Sequence, residues 1–133
     1  MPTLCDFIEI IGNKPVTIGD GRNPWQGTFD TGGRREEARA LLIFNVRGLT
    51  YAQEGARVEI NEEEVGTIVP YSGKDATAHD WHTQMISVSG STIKDSKKNR
   101  ITIHAALYPG TSAGNAYDDF DIKNLVCFFH QHT

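Results

Sequence analysis

The last third of the chain constrains the fold more than any other stretch. In residues 99–107 apolar and polar side chains alternate, with Ile101, Ile103, Ala105 and Leu107 set against Arg100, Thr102 and His104, as in a strand with one buried face. Residues 117–129 open on Asp118, Asp119 and Asp121 around Phe120. They then run apolar without a break from Leu125 to Phe129, as a central strand covered on both faces would. A loop containing glycine and asparagine joins the two. Strands of this kind in succession point to an all-β sandwich.

Strand signals recur upstream at the spacing a sandwich needs. Residues 4–11 are a β-rich opening run, and residues 17–33, with five glycines and Pro24, read as loop with a short strand around 25–29. Residues 38–46 carry Ala40, Leu42, Phe44 and Val46 on one face and Leu41 and Ile43 on the other. The helix formers in 36–42 are too few to win against the β-branched context that follows. Residues 57–60 and 65–69 flank Asn61, Glu62, Glu63 and Glu64, which predicts a tight hairpin. Residues 81–89, closed by Gly90, form the next strand. About eight strands, no long helix and no internal repeat predict a single antiparallel β-sandwich of jelly-roll type, with the first and last strands adjacent.

Composition narrows the function classes. A chain of 133 residues is one domain, 1–133, and large enough to bury a core without metal or disulfide support. Its net charge of −4 argues against nucleic acid. Arg34 and Arg35 are followed at once by Glu36 and Glu37, so they read as solvated loop charge. No run approaches the roughly 20 apolar residues of a membrane span. The first residues lack the basic and apolar regions of a signal peptide, which makes a cytoplasmic chain the default expectation. Cys5 and Cys127 lie near opposite ends of the chain, and two buried free thiols are the preferred reading over a bridge.

Three segments together resemble the galactose-binding-domain-like jelly rolls, the fold of many carbohydrate-binding modules and lectin domains. They are Ala56-Arg-Val-Glu-Ile-Asn61 followed by Val65-Gly-Thr-Ile68, then Asn99-Arg-Ile-Thr-Ile-His104, and finally the closing Asp119-Phe-Asp-Ile-Lys-Asn124. The resemblance spans residues 38–130. It implies ligand-binding loops and, in many members, a structural calcium.

Strand alternation sorts the loops without help from the family. In an up-and-down run, the hairpin at Glu62 and Glu63 shares one end of the sandwich with the loop 90–98. The loops 48–55, 71–80 and 109–118 share the other. The second end is richer in recognition chemistry, and its candidate ligand-binding residues are Tyr71, His79, Asp80, Trp81, Asn115, Tyr117, Asp118 and Asp119. Trp81 or Tyr117 would stack on a sugar ring, while the carboxylates and the Asn115 amide suit sugar hydroxyls. A core anchor is nevertheless the preferred reading of Trp81, since a Trp at a strand start buries a large apolar area. His79 and His82 fall on opposite faces of a strand, a poor metal pair. The aspartates at 118, 119 and 121 could hold calcium, but caps on the turn entering the last strand are the preferred reading, so no metal and no cofactor are expected.

Catalytic patterns are missing: there is no Gly-x-Ser-x-Gly, no Cys/His pair at a recognisable spacing, and no phosphate-cradling loop before a helix. The expectation is therefore a non-enzymatic binding module for carbohydrate or a similar polar ligand, with no nucleic-acid or membrane partner. The competing expectation is a structural protein that assembles as a homo-oligomer through an apolar sheet face made by Leu41, Ile43, Leu125, Cys127 and Phe129.

Overall fold

The computed structural model describes residues 4–31, 39–50, 52, 54–71, 80–94, 98–107 and 116–131. Among the described residues the regular structure is eleven strands: β1 (Leu4–Ile11), β2 (Val16–Ile18), β3 (Trp25–Phe29), β4 (Ala40–Arg47), β5 (Ala56–Ile60), β6 (Glu63–Ile68), β7 (His82–Val88), β8 (Asn99–Ile103), β9 (Ala106–Leu107), β10 (Tyr117–Asp118) and β11 (Phe120–Gln131). The expected count of about eight falls short by three very short strands. β2 follows Pro15 and has only three residues. β9 is cut from β8 at His104, and β10 from β11 at Asp119. Alternation over two or three residues carries no readable period, so such strands emerge only from their pairing partners.

One sheet has the order β1-β11-β4-β7, with β2 also pairing β11. The other has the order β3-β8-β5-β6, and β9 pairs β10 separately. Every pairing is antiparallel, and β1 lies against β11 as expected for adjacent first and last strands. β1 contacts β3 and β6 contacts β7, so the two sheets meet along both sides. The β6–β7 side is stitched by Gln84. Its carboxamide accepts from the Val69 amide and donates to the Val69 carbonyl, both at 2.8 Å, which repeats a strand-pairing motif with a side chain.

The core between the sheets contains Ile18, Leu42, Phe44, Val46, Ile60, Ile68, Ile101, Ile103, Phe120, Ile122 and Leu125, each at most 1% exposed. Alternation assigns most of these inward faces directly. The hairpin between β5 and β6 turns on Asn61 (φ 52°) and Glu62 (φ 69°), the two positive values a type I′ connection requires. Glu63 and Glu64 consequently belong to β6 rather than to the turn.

β11 departs from simple alternation. Lys123 pairs with Asn45 and Val126 with Ile43, so two residues of β11 oppose one of β4, and Asn124 sits at φ 53°. This β-bulge reverses the parity of the strand. Phe120 and Ile122 face inward before it, and Leu125, Cys127 and Phe129 face inward after it. Residues 125, 127 and 129 therefore do not form the outward assembly face expected with Leu41 and Ile43. Outward at this level are Val126 and Phe128, beside Phe7, Leu41, Ile43 and Met85. Both cysteines are free thiols, as expected, but only one of them is buried. Cys5 is exposed opposite His130, whereas Cys127 is buried opposite Ile8, so the pair is staggered along the ladder and faces opposite ways.

Candidate functional site

Loops gather at one end of the sandwich around the turn into β11. Asp118 is 4% exposed, and its Oδ2 accepts hydrogen bonds from the backbone amides of Thr50 at 3.0 Å and Ala52 at 2.8 Å. A carboxylate receiving two amides in a buried position is a loop organiser, since burial without such partners would be costly. The Tyr71 amide donates to the Leu49 carbonyl at 2.7 Å and joins a third segment to the same end. The opposite end is tied independently: the Asn61 carboxamide reaches the Thr92 carbonyl, and the Thr92 hydroxyl reaches Glu63. The alternating placement of loops expected from the sequence therefore holds for the described segments.

Asp119 points elsewhere. Its Oδ1 accepts from the Asp20 amide at 2.7 Å, while Asp20 Oδ1 accepts from the Tyr117 amide at 2.8 Å, forming a reciprocal clasp between β10 and the turn after β2. The clasp demands glycine at position 19, where a Cβ would lie 1.6 Å from Asp119 Oδ1. Beside it opens a hollow of about 510 Å³, lined by Lys14, Pro15, Val16, Thr17, Gly21, Arg22 and Asp119.

From this hollow a polar strip crosses the outer face of the larger sheet. Strand parity turns Thr17, Asp121, Arg47 and Trp81 outward on β2, β11, β4 and the approach to β7. Thr17 Oγ1 donates to Asp121 Oδ1 at 2.6 Å, and Arg47 Nε donates to Asp121 Oδ2 at 3.0 Å. The Arg47 guanidinium and the Lys123 ammonium each lie over the Trp81 ring, 4.4 Å from its centroid. Such cation–π contacts hold both heads in place. Asn45, bonded to Thr83 and Asn124, borders the strip. Further along the same face the surface becomes apolar, with Phe7 and Phe128 in ring contact at 5.5 Å.

The candidate residues from the sequence thus separate by direction. Asp118 is turned into the loop end, and Asp119 and Tyr117 meet Asp20 at the rim. Trp81 lies on the outer sheet face, with exposed Asp80 beside it. Tyr71 packs its ring against His82, 5.6 Å between centroids. His79 and Asn115 lie outside the described residues. The three aspartates at 118, 119 and 121 diverge to three sets of partners, and no group of metal-ligating side chains occurs among the described residues. Sequence reasoning did not select Lys14, Thr17, Asp20, Arg22, Arg47 or Lys123. Alternation marks Arg47 as outward-facing, but its meeting with Asp121 joins positions 74 residues apart.

These features define an antiparallel β-sandwich of two packed sheets. No protein-family model and no curated protein matches the chain. Among solved structures, 98% of the chain matches 13% of a dimeric latent PorU from Porphyromonas gingivalis, at 10% identity and a TM-score of 0.63. It matches 21% of a family 86 β-porphyranase from Bacteroides plebeius over 98% of its own length, at 18% identity and a TM-score of 0.57. A family 35 carbohydrate-binding module from Clostridium thermocellum matches over 93% of this chain and 98% of the module, at 14% identity and a TM-score of 0.49. At these identities the likeness is one of fold. The chain spans only 13% and 21% of the two larger proteins.

Proposed function

We propose that this domain is a non-catalytic module that binds carbohydrate or a similarly polar ligand, using the rim at Asp119 and the adjoining outer face of the larger sheet. The carrying observation is the strip Thr17–Asp121–Arg47–Trp81, a row of hydrogen-bonding groups ending on an aromatic ring, each fixed by its neighbour before any ligand arrives. Pre-ordered side chains lower the entropy lost on binding. The fold likeness to part of a β-porphyranase supports a role beside polysaccharide-acting machinery. Asp118 is committed to two backbone amides and Asp121 to Thr17 and Arg47, which favours binding over acid–base chemistry.

Screening on a glycan array and on immobilised polysaccharides tests the proposal. The wild type is expected to be retained on at least one glycan, and Trp81→Ala to bind about tenfold more weakly, equivalent to about 1.4 kcal/mol. Absence of binding to every glycan, or unchanged binding by Trp81→Ala, overturns it. One observation favours a second reading, assembly with a second copy of the chain: Phe7 is 58%, Phe128 38% and Met85 61% exposed on one apolar patch. Sedimentation equilibrium giving the monomer mass at high concentration excludes that alternative.

A further inference from the structure

We infer that the outer face of the larger sheet is the contact surface of a two-fold symmetric dimer of this chain, in which two copies pack sheet on sheet. The inference goes beyond the binding-module reading above and does not depend on it. Among the described residues seven large apolar side chains are exposed. Four of them, Phe7, Leu41, Met85 and Phe128, stand on this one face, each at least 36% exposed. Register sets them side by side. Phe7, Phe128 and Leu41 form one row with Ser87, while Val126, Ile43 and Met85 form the next row with Glu9. The six apolar side chains make a block that crosses all four strands, two rows deep.

Size and charge name the occupant. From these exposures the block offers roughly 400 Å² of apolar surface, the size of patch that marks an interaction site. A standard interface buries about 800 Å² per partner, an apolar centre inside a polar rim. The block supplies the centre, and Cys5, His130, Thr83 and Ser87 border it. Among the described residues the outward charges around it are Glu9, Arg39 and Lys123, with His130 when protonated. The Lys123 ammonium is turned to the Trp81 ring. Glu9 stands on the edge strand β1 in the second row. Arg39 reaches the other edge in the first row, its Nε donating to Ser87 Oγ at 2.8 Å. The opposite charges thus occupy diagonal corners of the block. A two-fold axis between facing sheets, set across that diagonal, carries each corner onto the other, so Glu9 of each copy meets Arg39 of its mate. An unrelated partner would need that complement built separately, whereas a second copy brings it. Sheets packed in this way lie about 10 Å apart, with side chains of both faces filling the gap. Arg47 is four residues beyond Ile43 on β4, or about 13 Å, so the polar strip lies outside the block.

Sedimentation equilibrium of the whole chain over a concentration series tests the inference. The mass is expected to rise from that of one chain to that of two and to stop there. Met85→Lys sets a charge in the dry centre and should weaken association at least about tenfold. Val69→Lys, at an exposed apolar position off this face, should leave it unchanged. Glu9→Arg and Arg39→Glu should each weaken the dimer about three- to tenfold, because symmetry turns two attractive pairs into repulsive ones. The double variant Glu9→Arg with Arg39→Glu should return to within about threefold of wild type. A monomer mass at every concentration overturns the inference, as does undiminished association of Met85→Lys. Growth past two copies overturns the closed dimer, and a double variant as weak as its single changes combined overturns the corner pairing. Met85→Lys should keep whatever glycan the wild type retains, so failure to assemble and failure of the binding-module reading give different results.

Discussion

Replacing Asp118 by alanine removes the group that gathers the loop end, and the structure sets the size of the effect. Among the lost interactions are two charge-assisted hydrogen bonds, to Thr50 N at 3.0 Å and Ala52 N at 2.8 Å. Bonds of this kind contribute about 1.5–3 kcal/mol each when water cannot replace them. Ala52 is 8% exposed, so its amide is left without a partner, whereas half-buried Thr50 can turn to water. Partial recovery at Thr50, and relief from burying a charge, bring the net loss to about 2–4 kcal/mol. An unfolding entropy of about 2.1 cal/mol/K per residue over 133 residues converts this to a fall in Tm of about 7–14 °C. Asp118→Asn keeps an acceptor oxygen but loses the charge, and should fall by about half as much. Differential scanning calorimetry gives the shifts, and hydrogen exchange should report the freed Ala52 amide. An alanine variant melting within about 2 °C of wild type would refute the argument, as would an asparagine variant less stable than the alanine one.

Three further substitutions probe other joints. Gly19→Ala puts a Cβ 1.6 Å from Asp119 Oδ1 and should displace that carboxylate from the Asp20 amide, lowering Tm by about 3–7 °C; Gly21→Ala, with nothing within 4 Å, should melt with wild type. Asn99→Ala removes a buried carboxamide that bonds Lys94 N, Lys94 O and Asn61 Nδ2, and should cost about 2–4 kcal/mol in chemical denaturation while raising exchange at the Lys94 amide. The bulge at Asn124 predicts that Leu125→Ala costs about 2–5 kcal/mol and Phe128→Ala much less; denaturation midpoints in the reverse order would mean that the strand register is wrong.

The strands legible in the sequence are those long enough for alternation to repeat. β1 spans Leu4–Ile11 and β3 spans Trp25–Phe29, as the residue pattern alone indicates. β4, β5 and β7 fall within one or two residues of their expected limits, whereas the run expected over 99–107 ends as β8 at Ile103 and resumes as β9, and the inward faces of β4 follow directly from its period of two. β2 escaped because three residues after a proline contain no period, and it becomes a strand only by pairing Val16 with Ile122. The loop end was legible in composition but not in direction. Asp118 and Asp119 are sequence neighbours of one chemical type, yet one organises a buried loop and the other lines the rim hollow.

What the sequence determined by itself is local: an all-β chain, most strand limits, and which side chains along each strand are apolar. These follow from backbone propensity and from the alternation of side chains, properties of residues a few positions apart. Tertiary structure alone decided the register, the bulge and the strip. Leu125, Cys127 and Phe129 became core rather than outer face because one residue, Asn124, entered a left-handed conformation and reversed the parity after it. Thr17, Arg47 and Asp121 meet only because β11 pairs with both β2 and β4. In an antiparallel sandwich a shift of one residue in pairing exchanges the two faces of a strand, and that register is set by partners far away in the chain.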